Sequence, residues 1–344
     1  MRGTTADAAL APPAPQRLMV SIVAWKGADL TIACLRSIEP ELASVPGMRV
    51  IVVDNASPDG SADRVEQAIG EQGWSAWARL IRAPGNHGFA AGNNIAIRAM
   101  LAEAQPAEFL LLLNPDTLVR PGALRTLLDF LVAHPAAGIA GGRSEDLDAT
   151  PQMCCFRFPN AISEVLGQIG LGVLDRLFER YLTRIGIPVE PRAVDWVSGA
   201  FMLVRRAVVD DIGLLDEGYF LYYEETDFAR RASRAGWGCW HVPDSRIVHF
   251  VGQSSGVTVR GQPPRRLPAY WFESRRRYFV LNHGRLYASM VDLLVLIVYP
   301  LARARRLIQR KPDHSPPHYF GDFLRHSAIF RRDTVQPVAL RNRA

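Results

Sequence analysis

The chain has 344 residues, of which 48% are hydrophobic and 22% charged, with a formal net charge of +6. This length and composition allow a full core, which excludes a wholly disordered protein and permits one large α/β domain with additions. The four cysteines lack zinc-finger or dithiol spacing, and the N-terminus lacks a secretory signal pattern, so we expect a cytoplasmic location.

The positive charge is concentrated at the C-terminus. Residues 301–344 hold ten Lys or Arg and three Asp or Glu, a net of +7, which leaves −1 for residues 1–300. Because this tail follows an apolar stretch and no nucleic-acid module accompanies it, an anionic membrane surface is favoured over nucleic acid as its partner. A tail that is merely solvated is the alternative.

Strand-like and helix-like segments alternate after a leader, residues 1–17, that is predicted to be disordered because it lacks apolar periodicity. The predicted strands cover residues 18–25, 49–54, 78–81 and 109–113, and the helices between and after them include 29–39 and 121–133. This order predicts an α/β fold, a mostly parallel sheet with helices on both faces. Ligands of such sheets bind beyond the carboxyl ends of the strands.

The alternation breaks beyond Gly142, where a helical stretch is expected around 162–181 and a C-terminal helical, basic extension at 257–344. The apolar segment Leu286–Leu301 is interrupted by Asp292 and Pro300. It is shorter than the roughly 20 residues that cross a bilayer, so we predict an interfacial or docked helix.

Polar residues follow the second and third predicted strands. Asp54 can accept hydrogen bonds from a nucleobase or ribose, although an Asp that caps its own turn is the simpler interpretation. The loop 86–94, NHGFAAGNN, combines glycines and asparagines at the start of a helix. Such a loop permits close backbone approach to an anionic or polar ligand, and a tight capped turn is its alternative interpretation.

Two further elements offer ligands for a hard cation. Asp116, in Asn114-Pro115-Asp116, follows four consecutive apolar residues at a strand end. One or two protein oxygens, completed by phosphates and water, suit a divalent ion on a diphosphate, and Asn114 could assist. A purely structural turn is the alternative. His249 follows the strand-like Arg246-Ile247-Val248 and is by itself an ordinary core or surface histidine.

The acidic cluster Glu224-Glu225-Thr226-Asp227 begins a predicted helix and follows three aromatic residues. The helix dipole favours acids at this end, which accounts for one or two of them. Three crowded carboxylates raise one another's pKa, which suits a general base.

Together and in this order, these elements resemble the family 2 inverting glycosyltransferases of GT-A fold, particularly the bacterial rhamnosyltransferase-like and galactofuranosyltransferase-like members. The matching stretches cover roughly residues 18–256 and are VSIVAW, VIVVDNASPDGS, NHGFAAGNN, LLLNPDTLVRPGAL, DWVSGAFMLVRR, GLLDEGYFLYYEETDFARRASRAGW and RIVHFVGQSS. One such motif is weak evidence, whereas seven in order are specific. The resemblance implies transfer from a nucleotide-diphosphate sugar, with dTDP-rhamnose the favoured donor, in cell-envelope polysaccharide synthesis.

The resemblance also implies roles for individual residues. Asp116 and His249 would hold Mn²⁺ or Mg²⁺ on the donor diphosphate, and Glu225 would be the catalytic base. The donor nucleotide would contact a set of loop residues, namely Ala24, Trp25, Asp54, Asn86, Gly88, Asn93 and Asn114. The acceptor, a glycan or a polyprenyl-diphosphate-linked sugar at the inner face of the membrane, would meet Trp196, Ser198, Gly199, Glu224 and Asp227.

Three positions depart from the family pattern. The first strand ends in Ala24-Trp25-Lys26 instead of Thr-Tyr-Asn, Asn114 replaces the first Asp of the Asp-x-Asp motif, and Glu225 stands where Asp is common. These changes alter the groups available to the base, lower the negative charge of the metal site and extend the reach of the catalytic carboxylate by one methylene group.

Among the three acids, the sequence favours Glu225 as the base. Successive helical residues point about 100° apart, so the acids cannot all face one hydroxyl. Asp227 precedes Arg230 and Arg231 at helical spacing, which predicts an ion pair and a low pKa.

Other functions remain as alternatives. A nicotinamide oxidoreductase lacks support because no Gly-x-Gly-x-x-Gly turn follows the first strand. A nucleotidyltransferase that makes a nucleotide-sugar shares the nucleotide, metal and sheet. An inactive glycosyltransferase-like membrane assembly factor is the non-enzymatic alternative, and Asn114 is its best argument.

Overall fold

The computed structural model describes residues 18–250, 263–313, 315–332, 335–336 and 338. The predicted leader, residues 1–17, and the predicted boundary after residue 256 lie outside the described residues. The last residues of the RIVHFVGQSS stretch, after Phe250, lie outside them as well.

The first half of the chain forms four parallel strands in the order β3-β2-β1-β4. Their bounds are Leu18–Ala24 (β1), Arg49–Asp54 (β2), Ala78–Arg82 (β3) and Phe109–Leu113 (β4), as the apolar, β-branched runs predict. The helices that connect them are Ala28–Ile38 (α1), Ser61–Glu71 (α2) and Gly88–Leu101 (α3), with short 3₁₀ turns at Glu39–Ala43 and Trp74–Ala76. Ala24, Asp54 and Arg82 stand in register at the carboxyl ends of the first three strands.

The second half extends the sheet with antiparallel and parallel partners in the order β4-β10-β6-β11-β5, and β8 pairs with β11. The strands are Thr117–Val119 (β5), Ala137–Glu145 (β6), Arg192–Val194 (β8), Phe201–Arg205 (β10) and Gly238–His249 (β11), and a small second sheet joins Cys155–Phe156 (β7) to Trp196–Val197 (β9). The helices are Ala123–Ala133 (α4), Ala161–Ile169 (α5), Gly172–Leu177 (α6), Arg206–Ile212 (α7) and Glu224–Arg234 (α8), with a 3₁₀ turn at Glu179–Tyr181. The sheet is therefore mixed, with its parallel part at one side.

The core lies on both faces of this sheet because alternate side chains of each strand point to opposite sides. Val20, Ile22 and Val52 belong to the cluster packed against α1, α2 and α4. Met19 and Val53 belong to the opposite cluster, which packs against α3, α7 and α8. Two covered faces explain why the strands read as continuous apolar runs rather than alternating ones.

Three C-terminal helices follow, Ala269–His283 (α9), Arg285–Ile308 (α10) and Tyr319–His326 (α11). The prediction that α10 is too short to cross a bilayer is wrong. The helix continues through Pro300 and has 24 residues. In the described part of the chain, α10 is a helix that is long and apolar enough to span a membrane by length and composition alone, and it is partly buried on the protein.

Asp292, which interrupts the apolar run of α10, is buried in an ionic cluster that joins three helices. Its carboxylate accepts a hydrogen bond of 2.6 Å from Arg275 of α9, and Arg275 also pairs with Glu164 of α5 at 2.6 Å. The second oxygen of Asp292 accepts the backbone N–H of Ala328 at 2.6 Å. These ion pairs attach one face of α10 to the rest of the protein.

We predict that Asp292→Ala lowers the free energy of unfolding by about 3–5 kcal/mol, because it leaves the buried Arg275 without one of its two carboxylate partners. Urea unfolding of the full chain measures this. Asp129→Ala is the matched control, since it removes a helical pair with Arg125 in which both side chains are about half exposed. Its expected cost is about 0.5 kcal/mol, and equal effects of the two substitutions would contradict a structural role for the cluster.

Candidate active site

The predicted donor residues of the first two strands lie at one edge of the sheet. Asp54 is 4% exposed and one of its oxygens accepts the backbone N–H of Ser57 at 3.0 Å. The Ser57 hydroxyl in turn accepts the N–H of Lys26 at 2.7 Å. The capped-turn interpretation of Asp54 is thus present in the structure, and its contact with a nucleotide stays a prediction.

Ala24 and Trp25 differ in what they can offer a ligand. Ala24 is buried, and its carbonyl accepts the N–H of Asn55 at 2.7 Å. Trp25 is 41% exposed, with the Lys26 ammonium 4.4 Å from the ring centre. The aromatic face and the adjacent cation follow directly on β1, where they are available to a base or a phosphate.

The loop that carries Asn86 and Gly88 is fastened by Asn55, a residue that sequence reasoning did not single out. The buried amide of Asn55 donates to Asn86 Oδ1 at 3.1 Å and to the Gly88 carbonyl at 3.0 Å. The signal was available, since Asn55 follows Asp54 in a matched stretch. Asn93, which is also predicted to contact the donor, is fully buried and bonds to Ser21 and the Phe89 carbonyl, and its contact with a donor stays a prediction.

Gly88 joins this loop to the segment that precedes the acidic cluster. Its φ of +90° and a distance of only 2.0 Å from an added Cβ to the Phe220 carbonyl oxygen exclude any side chain. The neighbouring N–H of Phe89 donates to that same carbonyl at 2.8 Å. The predicted donor loop and the acidic segment are therefore one packed unit.

Asp116 and His249, predicted as metal ligands from distant stretches, meet in the structure. β11 pairs antiparallel with β5 so that His249 stands opposite Thr117, and the Phe250 N–H donates to the Asp116 carbonyl at 2.9 Å. His249 Nε2 lies 3.6 Å from Asp116 Oδ1. The Asp116 side chain is 2% exposed and that of His249 15%.

The chemistry of this pair fits a divalent cation shared with a ligand. Within the described ranges, no group of three or more His, Cys, Asp or Glu side chains is placed to hold a metal by itself. A carboxylate and an imidazole leave several coordination positions for diphosphate oxygens and water, as a nucleotide-bridging Mn²⁺ or Mg²⁺ requires. The Asn114 side chain stands two residues from Asp116 and is partly exposed.

The acidic cluster begins α8 directly after two left-handed tyrosines, Tyr222 and Tyr223, with φ of 71° and 69°. Glu225 is partly exposed and packs beside Gly199, whose added Cβ would lie 3.7 Å from that of Glu225. Burial raises the pKa of Glu225, and backbone N–H groups, that of Gly199 included, partly offset this rise. One of its carboxylate oxygens has no hydrogen-bond partner in the described part of the chain.

The neighbouring acids have other surroundings. Asp227 is 3% exposed and its oxygens accept from Arg231 at 2.9 Å and Asn282 at 2.8 Å, so the expected ion pair is present. Both oxygens of Asp227 are thus engaged within the protein, and its place on the acceptor side stays a prediction. Glu224 is also 3% exposed, and burial next to Glu225 raises its pKa well above the ordinary value. Its place on the acceptor side stays a prediction as well.

The remaining acceptor-side residues lie at the turn between β9 and β10. Trp196 stacks on Phe156 with 4.2 Å between ring centres and donates its indole N–H to a backbone carbonyl. Ser198 and Gly199 follow, and the Ala200 carbonyl accepts the N–H of Asn114 at 3.0 Å. That bond places the Gly199–Glu225 contact and the strand end that leads to Asp116 at the same edge of the sheet.

Comparison with known proteins agrees with this arrangement. Residues 15–279 match the family described as glycosyltransferase like family 2. An N-acetylglucosaminyl-diphospho-decaprenol L-rhamnosyltransferase of Mycobacterium tuberculosis is 29% identical over 227 residues, which are 62% of this chain and 70% of the relative. The rhamnosyltransferase WbbL of Escherichia coli is 28% identical over 175 residues, 48% of this chain and 62% of WbbL.

A solved structure supports the fold. The mannosyltransferase PcManGT of Pyrobaculum calidifontis, determined in complex with GDP-Man and Mn²⁺, superposes with a TM-score of 0.52 at 16% identity, over 86% of this chain and 77% of that one. The family match spans well over half of the residues, and the mixed sheet with its parallel side is the GT-A architecture. This chain therefore belongs to the family 2 glycosyltransferases.

Proposed function

We propose that the protein transfers L-rhamnose from a nucleotide-diphosphate donor to a hydroxyl group of a glycan or lipid-linked acceptor, with inversion at the anomeric carbon. One observation carries the proposal: a carboxylate with a raised pKa, Glu225, shares the carboxyl edge of the sheet with the Asp116–His249 pair. The choice of sugar and of acceptor rests on the names of the bacterial relatives.

The reaction is a single displacement. The acceptor oxygen attacks the anomeric carbon, the bond from that carbon to the diphosphate oxygen breaks, and Glu225 takes the proton of the acceptor hydroxyl. The products are the glycoside and a nucleoside diphosphate. Asp116 and His249 would hold a divalent cation, which when bound would supply positive charge to the departing diphosphate. Gly199, which lacks a side chain, lets the Phe89 ring and Glu225 pack closely against this turn, since an added Cβ would lie 3.3 Å from Phe89 and 3.7 Å from the Cβ of Glu225.

We predict that Glu225→Gln lowers kcat by about 10²–10⁴, because the amide keeps the size of the side chain and loses the proton acceptor. Nucleoside diphosphate affinity, measured by calorimetry, should not change. Glu224→Gln is the matched control and should keep near-wild-type activity, since Glu224 is buried and burial beside Glu225 raises its pKa, which disfavours its charged form.

In the wild-type enzyme, kcat should fall at acidic pH, and the midpoint of this fall should lie above the ordinary pKa of a glutamate. The reason is that activity needs ionised Glu225, whose pKa is raised, so protons inactivate the base as pH falls through that value. An active Glu225→Gln variant beside an inactive, folded Glu224→Gln variant would transfer the role to Glu224.

We predict that EDTA abolishes transfer and that Mn²⁺ or Mg²⁺ restores it. Asp116→Asn should lower both activity and the Mn²⁺-dependent part of nucleoside diphosphate binding, because the amide removes the one charged oxygen ligand from the pair. Asp59→Asn, which alters an exposed turn carboxylate, is the control. Full activity in chelator would contradict the assignment of these residues to a metal.

A peripheral location at the membrane is the second part of the proposal. One face of α10 is buried on the protein, whereas the other exposes a continuous apolar stripe of Leu286, Met290, Leu293, Leu294, Ile297 and Leu301. Exposed basic residues follow it, among them Arg303, Arg310 and Lys311. The Asp292–Arg275 pair holds the inner face of α10 against the protein, so only the outer face is free to contact lipid. The apolar stripe on that outer face fits a helix that lies in the surface of an anionic bilayer.

We predict that the full chain binds vesicles of anionic lipid. Each basic residue near the surface should contribute roughly 1 kcal/mol to binding, and salt should weaken binding because it screens this attraction. The double substitution Leu293→Glu with Ile297→Glu should abolish binding, because it places charge in the exposed stripe. Leu147→Glu is the control, as Leu147 is 66% exposed on the catalytic domain. Undiminished binding of the double variant in a sedimentation assay would exclude this face.

A further inference from the structure

The turn that delivers the proposed base has an unfavourable backbone. Tyr222 and Tyr223 both adopt left-handed φ values, 71° and 69°, immediately before Glu224. Two consecutive bulky residues in this region persist only where the surrounding structure enforces them. The source of that constraint therefore bears on how Glu225 is placed.

Helix α9 supplies contacts along the whole of this turn. The buried Ser274 hydroxyl donates to the Leu221 carbonyl at 3.0 Å, one residue before the left-handed pair. The Tyr270 ring lies 5.2 Å from Phe220 and 6.3 Å from Tyr222, centre to centre. Further along, Tyr278 stacks near Tyr223 at 5.4 Å. The helix thus contacts each aromatic residue that leads into the acidic cluster.

The position of Ser274 on α9 is itself fixed. Its neighbour Arg275 is the buried cation that pairs with Asp292 and Glu164, and two residues further Arg277 forms a bidentate pair with Asp216. Asn282, at the end of the helix, holds Asp227 at 2.8 Å. A hydroxyl on so constrained a helix can hold a carbonyl in place rather than follow it.

We propose that Ser274 is a positioning residue for the transfer reaction, which fixes the Leu221 carbonyl and thereby the left-handed turn that sets Glu225 beside Gly199. The inference rests on the proposed function, since it takes Glu225 as the proton acceptor. The C-terminal helices thereby contribute to catalysis. Helix α9 supports the turn and also holds α10 in place.

The test compares Ser274→Ala with Glu273→Ala in the full chain. Glu273 is the adjacent residue, its side chain is 51% exposed and it faces His326 rather than the turn. We expect Ser274→Ala to lower kcat about ten- to hundredfold with the donor KM within twofold, as a misplaced catalytic group would. Its acidic limb should move to lower pH, because water admitted around Glu225 lowers the pKa of that carboxyl. Glu273→Ala should match wild type, and Ser274→Thr should recover part of kcat.

Hydrogen exchange gives a readout that does not depend on activity. Amides 223–227 should exchange faster in Ser274→Ala than in Glu273→Ala at similar thermal stability. Unchanged kcat, pH limb and exchange in Ser274→Ala, with Glu225→Gln inactive, would overturn the positioning role and leave the proposed function standing. An active Glu225→Gln enzyme would overturn both. If Ser274→Ala does not fold, Ser274→Cys keeps the volume of the side chain and replaces the hydroxyl by a weak donor, and wild-type kcat and amide exchange in that variant would overturn the proposal.

Discussion

The antiparallel pairing of β10 with β4 is the constraint on which the site depends. β4 ends the parallel side of the sheet, and β10 returns beside it so that Phe201 stands opposite Leu113. The bond from the Asn114 N–H to the Ala200 carbonyl, 3.0 Å long, then joins the strand end that leads to Asp116 with the turn that contacts Glu225. Because hydrogen-bonded strands lie about 4.8 Å apart, this pairing limits the separation between Asp116 and Glu225, to which we assign the metal and the proton.

The three acids at the start of α8 differ in burial and in hydrogen-bond partners, although they are close together in the sequence. Asp227 is committed to Arg231 and Asn282, so it stabilises the junction of α8 and α9. Glu224 is surrounded by protein, and burial beside Glu225 raises its pKa. Only Glu225 combines a raised pKa with partial exposure, next to a glycine. A carboxylate that accepts a proton during transfer needs both properties, since the first tunes its basicity and the second admits the substrate.

The sequence predicts the parallel part of the fold well because local patterns suffice there. Runs such as Arg49–Asp54 are β-branched and end in turn formers, so their bounds follow from local preference and apolar periodicity. The meeting of Asp116 with His249 followed from family likeness and not from spacing. The length of α10 and the burial of Asn93 could not be predicted in this way, since both depend on partners far along the chain. Arg275 of α9 pairs with Asp292 and so offsets its charge within α10. The Ser21 hydroxyl donates a hydrogen bond to the side-chain oxygen of Asn93.

In the proposed reaction, an acceptor hydroxyl attacks the nucleotide-sugar directly and displaces the nucleoside diphosphate. Proton NMR of the purified product, formed from an anomerically defined nucleotide-rhamnose and a soluble sugar-diphosphate acceptor analogue with Mn²⁺, tests it most directly. The account predicts a new glycosidic bond of anomeric configuration opposite to that of the donor, with one nucleoside diphosphate released per bond formed. A product with retained configuration, or release of inorganic pyrophosphate in place of the nucleoside diphosphate, would contradict it.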